Sequence, residues 1–227
     1  MSKRLRPMFS YFGSKWRLSS KYPTPTKDII IEPFAGSACF SLYYPDKQIK
    51  LFDKYDKVCV VWDYLIHVSE SELSSLPILK KGEQIPLSLS EGARYLIGFW
   101  VSKATTSPRL SMSKSSVNSD YIFWGEPIKQ RIMSQLKYIR HWTIEQASYE
   151  DIPNTNGYWF VDPPYQVMGK YYKHNNIDYD HLSNWCQSRN GEVVVCENNG
   201  STWLPFKTLH TTKSFTGLTK EVYWSNK

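Results

Sequence analysis

The chain reads as an α/β protein of the open nucleotide-binding type, with a mixed sheet closed at one edge by an antiparallel hairpin. Three observations predict this. The β-branched run Asp28-Ile29-Ile30-Ile31-Glu32 stops at Pro33 and opens into the small-residue turn Phe34-Ala35-Gly36-Ser37-Ala38. A second strand, Ile49-Lys50-Leu51-Phe52-Asp53, follows about twenty residues on and ends in an acid, the layout of a βαβ nucleotide site. The C-terminal third returns to short strands, the last two spaced as a hairpin.

Taken in order, residues 1–27 carry seven Lys/Arg and no acid, and end in the loop Tyr22-Pro23-Thr24-Pro25. After the first strand and its turn, Cys39–Tyr44 is expected to begin a helix that stops before Pro45. Val58–Val68 has helical spacing. Residues 69–92, rich in Ser, Pro and Gly, predict a surface connection, and Gly92–Val101 an aromatic helix. Residues 102–119 hold Lys103, Arg109 and Lys114 with no acid; a flexible polar loop and a loop facing phosphates explain them equally well. A helix is expected over Ile128–Trp142, with Lys129, Arg131, Lys137 and Arg140. Strands are expected over 142–146, 158–161, 192–196, 206–211 and 221–224, with one helix, Tyr179–Arg189, ended by Asn190-Gly191.

Composition narrows the classes. With 227 residues, 41% hydrophobic and 22% charged, the chain is neither disordered, collagenous nor coiled coil, and its length suits one domain with a small insertion. The net charge of +7 favours an anionic partner, nucleic acid being the usual one, although a merely soluble basic protein also carries such a charge. Cys39, Cys59, Cys186 and Cys196 show no C-x-x-C spacing and read as reduced core thiols of a cytosolic protein. Met1 is followed by Lys3, Arg4 and Arg6 but by no apolar signal core, and the runs Tyr95–Val101 and Val193–Cys196 are too short to span a bilayer. His67, His141, His174, His181 and His210 have no metal-ligand spacing, so no metal is expected.

The tetrapeptide Asp162-Pro163-Pro164-Tyr165 directly follows the apolar strand Tyr158–Val161. Two prolines cannot continue a central strand; they stiffen the turn at its C-terminal end, where open α/β sheets bind ligands. Asp162 is thereby held at the mouth of a cleft beside an aromatic ring. A plain strand terminator with an N-capping Asp would look the same but leaves the upstream turn unexplained.

Tyr11-Phe12-Gly13-Ser14-Lys15, then Glu32-Pro33-Phe34-Ala35-Gly36-Ser37-Ala38, then Asp162-Pro163-Pro164-Tyr165, in that order and over nearly the whole chain, resemble the Dam-like (alpha-group) DNA adenine-N6 methyltransferases, most of all short phage-type members. The resemblance implies a Rossmann-like S-adenosylmethionine-dependent methyltransferase fold built from residues 1–68 and 141–227, with 69–140 as a target-recognition insertion. It also implies S-adenosyl-L-methionine as cofactor, duplex DNA as partner, a monomer, and the cytoplasm of a bacterial or phage-infected cell.

The roles it implies are these. Lys15 meets the methionine carboxylate, with Tyr11 and Gly13 shaping that pocket. Glu32, Pro33 and Phe34-Ala35-Gly36-Ser37 face the methionine and ribose, Asp53 takes ribose hydroxyls, and Ser148 and Tyr149 flank the cofactor adenine. The Asp162 carboxylate and the Pro163 carbonyl accept the two N–H bonds of the target amine, Pro164 completes the rigid turn, and Tyr165 stacks on the flipped base. Lys103, Arg109 and Lys114 are phosphate candidates, and Tyr171, Tyr172, Lys173 and His174 form a loop that closes on the base or, in the blander reading, caps the following helix. Two positions depart from the pattern: Ala38, where relatives often have a second glycine, and Tyr55, where they often have Asn. Cytosine-N4 transfer uses the same amine chemistry, but Asp rather than Ser at 162 argues against it. RNA methylation, or a catalytically silent decoy that binds S-adenosylmethionine or nucleic acid, would draw on the same residues.

Overall fold

The computed structural model describes residues 4–80, 82–101, 105–112, 124–167, 169–214 and 217–227; Lys103 and Lys114 lie outside them. Strand β1 (Ile29–Glu32) pairs in parallel with β2 (Gln48–Asp53) on one side and with β4 (Gly157–Val161) on the other. β3 (Thr143–Gln146) extends the β2 side, and β5 (Gly191–Asn198) the β4 side, both in parallel. β7 (Gly217–Ser225) then runs antiparallel to β5, and β6 (Lys207–Ser214) antiparallel to β7. The seven strands stand in the order β3-β2-β1-β4-β5-β7-β6. This is the expected Rossmann-like methyltransferase arrangement, a mixed sheet with an antiparallel edge hairpin.

The order turns outward in both directions from β1 and β4, so the crevice beyond their C-terminal ends is the topological switch point of the sheet. Glu32 and Asp162 are therefore brought to one place by adjacent strands. The two strands are apolar because both sheet faces are covered. Ile30 and Phe160 belong to one apolar cluster, and Ile31, Trp159 and Val161 to the other, the two-residue alternation of a strand sandwiched between layers.

The elements differ from expectation in three places. The helix expected over Ile128–Trp142 runs from Glu126 to Leu136 and stops six residues early. Cys39–Tyr44 forms only a 3₁₀ turn, Ser41–Tyr43, not a helix. Six residues crowded with aromatics before Pro45 are too few to nucleate a helix, and the Glu32 carboxylate ties the turn to β1 by accepting from both the backbone N–H and the hydroxyl of Ser41. Residues 69–92 are not a bare surface connection. They contain helix α2 (Glu70–Ser75), whose N-cap Ser69 accepts from the Glu72 N–H, and they bury Leu73, Leu76, Leu79 and Ile85.

Helices α1 (Asp56–His67) and α3 (Glu91–Trp100) pack together, as do α2 and α4 (Glu126–Leu136). Leu73, Phe99, Trp124 and Ile132 share one continuous core with Ile30, Phe40 and Trp62. The described part of 69–140 is thus welded to the sheet rather than hinged on it. Its cations are partly structural. Lys129 is buried and donates to the carbonyls of Ser74 and Leu76, and Arg140 donates to those of Leu65, Ile66 and Val68 at the end of α1. The four cysteines are buried and unpaired. Among the described residues, no helix is long and apolar enough to cross a membrane.

Candidate active site

A cleft opens at the switch point and holds about 1000 Å³ of empty space, mouth included. Tyr11, Gly13, Lys15, Glu32, Pro33, Phe34, Ala35, Gly36, Ser37, Asp53, Ser148, Tyr149 and Asp162 all line it. The Asp162 turn and the strand-turn of β1 therefore face the same space.

The turn after β1 is shaped by backbone geometry. Gly36 has φ +45°, and a Cβ there would lie 3.1 Å from Cε1 of Tyr11, so a side chain meets both strain and a neighbour. Its N–H donates to Asp53 Oδ2 at 2.9 Å, while the Tyr55 N–H donates to Asp53 Oδ1 at 2.8 Å. Burial raises the Asp53 carboxyl to about 6 against these two bonds, which favour its charge. One lone pair on each oxygen is left for a pair of hydroxyls. Ala38 also has φ +45°, so this departure from glycine sits in the left-handed region and carries strain.

Glu32 is buried beneath the turn. Burial lifts its carboxyl to about 8, against the two bonds from Ser41 and with a smaller push from the Asp162 charge. Asp162, at the end of β4, is raised to about 6 by burial, opposed by Lys15 and reinforced by Glu221. Tyr149 lies 5.5 Å from Phe34 between ring centroids, and its hydroxyl pairs with Nδ1 of His181 at 2.8 Å, so an aromatic wall stands on the β3 side. The Ser148 hydroxyl is engaged by Glu150 at 2.7 Å.

Lys15 lines the cleft, and its ammonium is engaged there by the chain's own carboxylates. Nζ sits 3.0 Å from Asp162 Oδ1 and 3.8 Å from Glu221 Oε1, and donates to the Gly13 carbonyl at 3.0 Å. Burial works against this ammonium, yet the two carboxylates outweigh it and hold Lys15 protonated. Pro164 lines the cleft, and Pro163 and Tyr165 flank it in the same turn. The Pro164 carbonyl accepts from the Tyr179 hydroxyl at 2.8 Å and the Tyr165 carbonyl from the Gly169 N–H at 2.6 Å, whereas the Asp162 and Pro163 carbonyls have no partner among the described residues. The Tyr165 ring lies 4.7 Å from Lys15 Nζ, and its hydroxyl donates to Glu221 at 2.6 Å.

The segment after the turn is a strap over the end of the cleft beside Tyr11 and Phe12. It does not cap α5 (Tyr179–Gln187), whose N-cap is Asp178. Tyr172, Lys173 and His174 line the cleft. The Tyr172 hydroxyl donates to the Phe12 carbonyl at 3.4 Å, its ring packs on Phe12 and Tyr11, and His174 meets the edge of Tyr55. Tyr171 packs on Phe12, and its carbonyl accepts from Thr106 at 2.9 Å. Arg109 is exposed, on a stretch whose backbone is tied to Gly98.

Sequence reasoning missed Glu221 and Tyr22. Glu221 on β7 accepts from the hydroxyls of Tyr22, at 2.7 Å, and Tyr165, and so completes a buried carboxylate–ammonium–carboxylate row with Lys15 and Asp162. The only local signal was an acid inside the last strand, followed at once by Val222.

No known protein family and no curated protein matches the sequence. Solved structures share the general layout at 9–11% identity. An Escherichia coli protein, yhhF, carried under a provisional methyltransferase description, superposes with a TM-score of 0.37 at 9% identity over 86% of this chain and 73% of its own. A precorrin-6y C5,15-methyltransferase of Geobacter metallireducens gives 0.38 at 10% identity over 92% and 85%. A conserved hypothetical protein of Streptococcus pyogenes gives 0.37 at 11% over 88% and 86%. Superpositions this loose carry no argument about function, which rests on the cleft itself.

Proposed function

We propose that the chain is an S-adenosylmethionine-dependent methyltransferase acting on adenine N6 of a base flipped out of duplex DNA. One observation carries the reading: the Asp162 carboxylate, at the end of β4, opens into the same cleft as the glycine turn after β1 and the acid that ends β2. The cleft fits the cofactor. Its Asp53 oxygens retain acceptors for a diol, and Glu32, Asp53 and Asp162 surround it with carboxylates suited to a cationic guest. S-adenosylmethionine supplies an electrophilic methyl on a sulfonium.

The chain's own residues do the rest. An adenine amine is a poor nucleophile because its lone pair is delocalised into the ring. The Asp162 carboxylate and the free Pro163 carbonyl can each accept one of its N–H bonds, turning the amine out of conjugation and aiming its lone pair. The rigid Pro-Pro turn keeps both acceptors in place, and orientation of this kind is worth on the order of 7–11 kcal/mol at best. Lys15 holds Oδ1 of Asp162 in the structure, and in this reading it withdraws from that oxygen as the amine takes it. The proton lost from the methylated amine can leave after transfer, so Asp162 has no need to act as a strong base. DNA rather than a small amine is favoured by the net charge of +7 and by the basic stretch around Arg109.

The test is direct. The purified chain is incubated with tritiated S-adenosylmethionine and unmethylated duplex DNA, and the product is digested to nucleosides. Label in N6-methyladenine is expected. Label in N4-methylcytosine, label only with RNA, or none at all would overturn the adenine reading.

A further inference from the structure

The row Asp162–Lys15–Glu221 contains one more carboxylate than the chemistry above uses. Lys15 is buried, and Glu221 is its second partner, only 0.8 Å farther from Nζ than Asp162 (3.8 against 3.0 Å). Oε1 of Glu221 accepts from the hydroxyls of Tyr22 and Tyr165, held by the N-terminal loop and by the Asp162 turn, so its position is set from two sides. Cys196 lies buried on the neighbouring strand β5, directly across from Tyr223.

We infer that Glu221 is a positioning residue for methyl transfer: it receives the Lys15 ammonium when the substrate amine takes Asp162. The inference rests on the proposed function. An ammonium that released Asp162 with no other partner would be stranded in a buried site, which is strongly unfavourable. With Glu221 beside it, Nζ needs to travel only about 1 Å, a side-chain adjustment of the kind that occurs without backbone movement. Asp162 is then free to accept from the amine, and Lys15 stays paired throughout. No proton changes hands in this exchange. The Tyr22 and Tyr165 hydroxyls keep the receiving oxygen in place while the lysine moves.

The experiment compares wild type, Glu221→Gln, Lys15→Met and the double variant, with unmethylated genomic DNA and tritiated S-adenosylmethionine. S-adenosylmethionine affinity is measured separately by calorimetry. Glu221→Gln locks Lys15 onto Asp162, so KM for DNA is expected to rise about tenfold or more, with kcat and cofactor affinity within about twofold. In the Lys15→Met background the same change is expected to leave KM unaltered, because no lysine remains to be received. A merely structural Glu221 would lower stability alike in both backgrounds. An unchanged KM for Glu221→Gln, a fall in kcat alone, or an equal effect with and without Lys15 overturns the inference while leaving the methyltransferase reading intact. A wild-type chain that transfers no methyl to DNA overturns both. Should Glu221→Gln fail to fold, Glu221→Asp keeps the charge but withdraws it by one methylene; a KM unchanged there overturns the inference as well.

Discussion

Glu32 offers a measurement of the cleft's electrostatics that needs no substrate. Its side chain is buried under the turn, and burial raises its carboxyl from the ordinary 4.5 to about 8. A carboxyl whose folded value is raised binds its proton more tightly in the native chain than in the unfolded one. Its contribution is therefore present at low pH and lost as pH rises from about 4.5 to about 8. One group shifted in this way changes stability by up to about 1.4 kcal/mol per pH unit, so up to about 4 kcal/mol between roughly pH 5 and pH 8. Glu32→Gln removes the titration but keeps a carbonyl oxygen that can accept from the Ser41 N–H and hydroxyl. Asp53 titrates in the same sense in both proteins and cancels in the comparison, and Asp162, whose charge gives Glu32 only a smaller push, leaves a smaller difference. Urea unfolding at several pH values should show the variant gaining on the wild type as pH rises, by about 1–4 kcal/mol across that range. Saturating S-adenosylmethionine should shrink the gap, since a cation in the cleft favours the ionised carboxylate. A difference that stays flat with pH, or that grows toward acid, would refute the burial argument.

Three further outcomes are expected. Asp162→Ala should lower the rate of methyl transfer by about 10²–10³-fold or more, while calorimetry still shows S-adenosylmethionine binding; equal losses in both would mean that Asp162 only holds the fold. Ala38→Gly should leave stability within about 1 kcal/mol of wild type by urea unfolding, because relief of φ +45°, worth about 1–2 kcal/mol, offsets the backbone entropy of glycine and one lost buried methyl. A loss above about 2 kcal/mol there would show that the left-handed geometry carries no strain. Gly13→Ala places a Cβ 2.2 Å from the Tyr172 hydroxyl at φ +77°, so the strap must shift; cofactor affinity should fall about tenfold, and unchanged affinity would separate the strap from the cofactor site.

The sequence was most legible where local chemistry and topology coincide. The β-branched run at 29–32, the acid-ended run at 48–53 and the apolar 157–161 each became a parallel strand, because period and composition leave few other structures for them. The turn at Gly36 and the Pro-Pro turn at Asp162 were legible because glycine and proline restrict the backbone by themselves. Helix α2 escaped because its signal, Ser69 with two glutamates in the first turn, is short, and the surrounding serines and prolines outweigh it. The 3₁₀ turn at Ser41–Tyr43 escaped because its geometry depends on Glu32, nine residues upstream. Lys15 was placed in the cleft, but its partners within the chain, Asp162 and Glu221, were not legible: they lie far along the chain, and pairing over such distances leaves no local pattern.

The charge of the cleft bears on the direction of the reaction. Glu32, Asp53, Asp162 and Glu221 stand at or just behind its wall, and Lys15 is the cation buried among them. Burial raises Glu32, Asp53 and Asp162 because water is withdrawn from their charges without enough positive charge to replace it. A cationic guest supplies what is missing; a neutral guest of the same shape does not. The same residues that make the empty chain prefer acid should therefore make it discriminate between two ligands differing by one positive charge. S-adenosylmethionine should bind more tightly than S-adenosylhomocysteine above about pH 8, where Glu32 is ionised, and the preference should narrow toward about pH 6 as Glu32 takes up its proton. Calorimetry with both ligands across that range gives the comparison. A preference that is constant with pH would mean that the carboxylates shape the cleft without acting on the charge inside it.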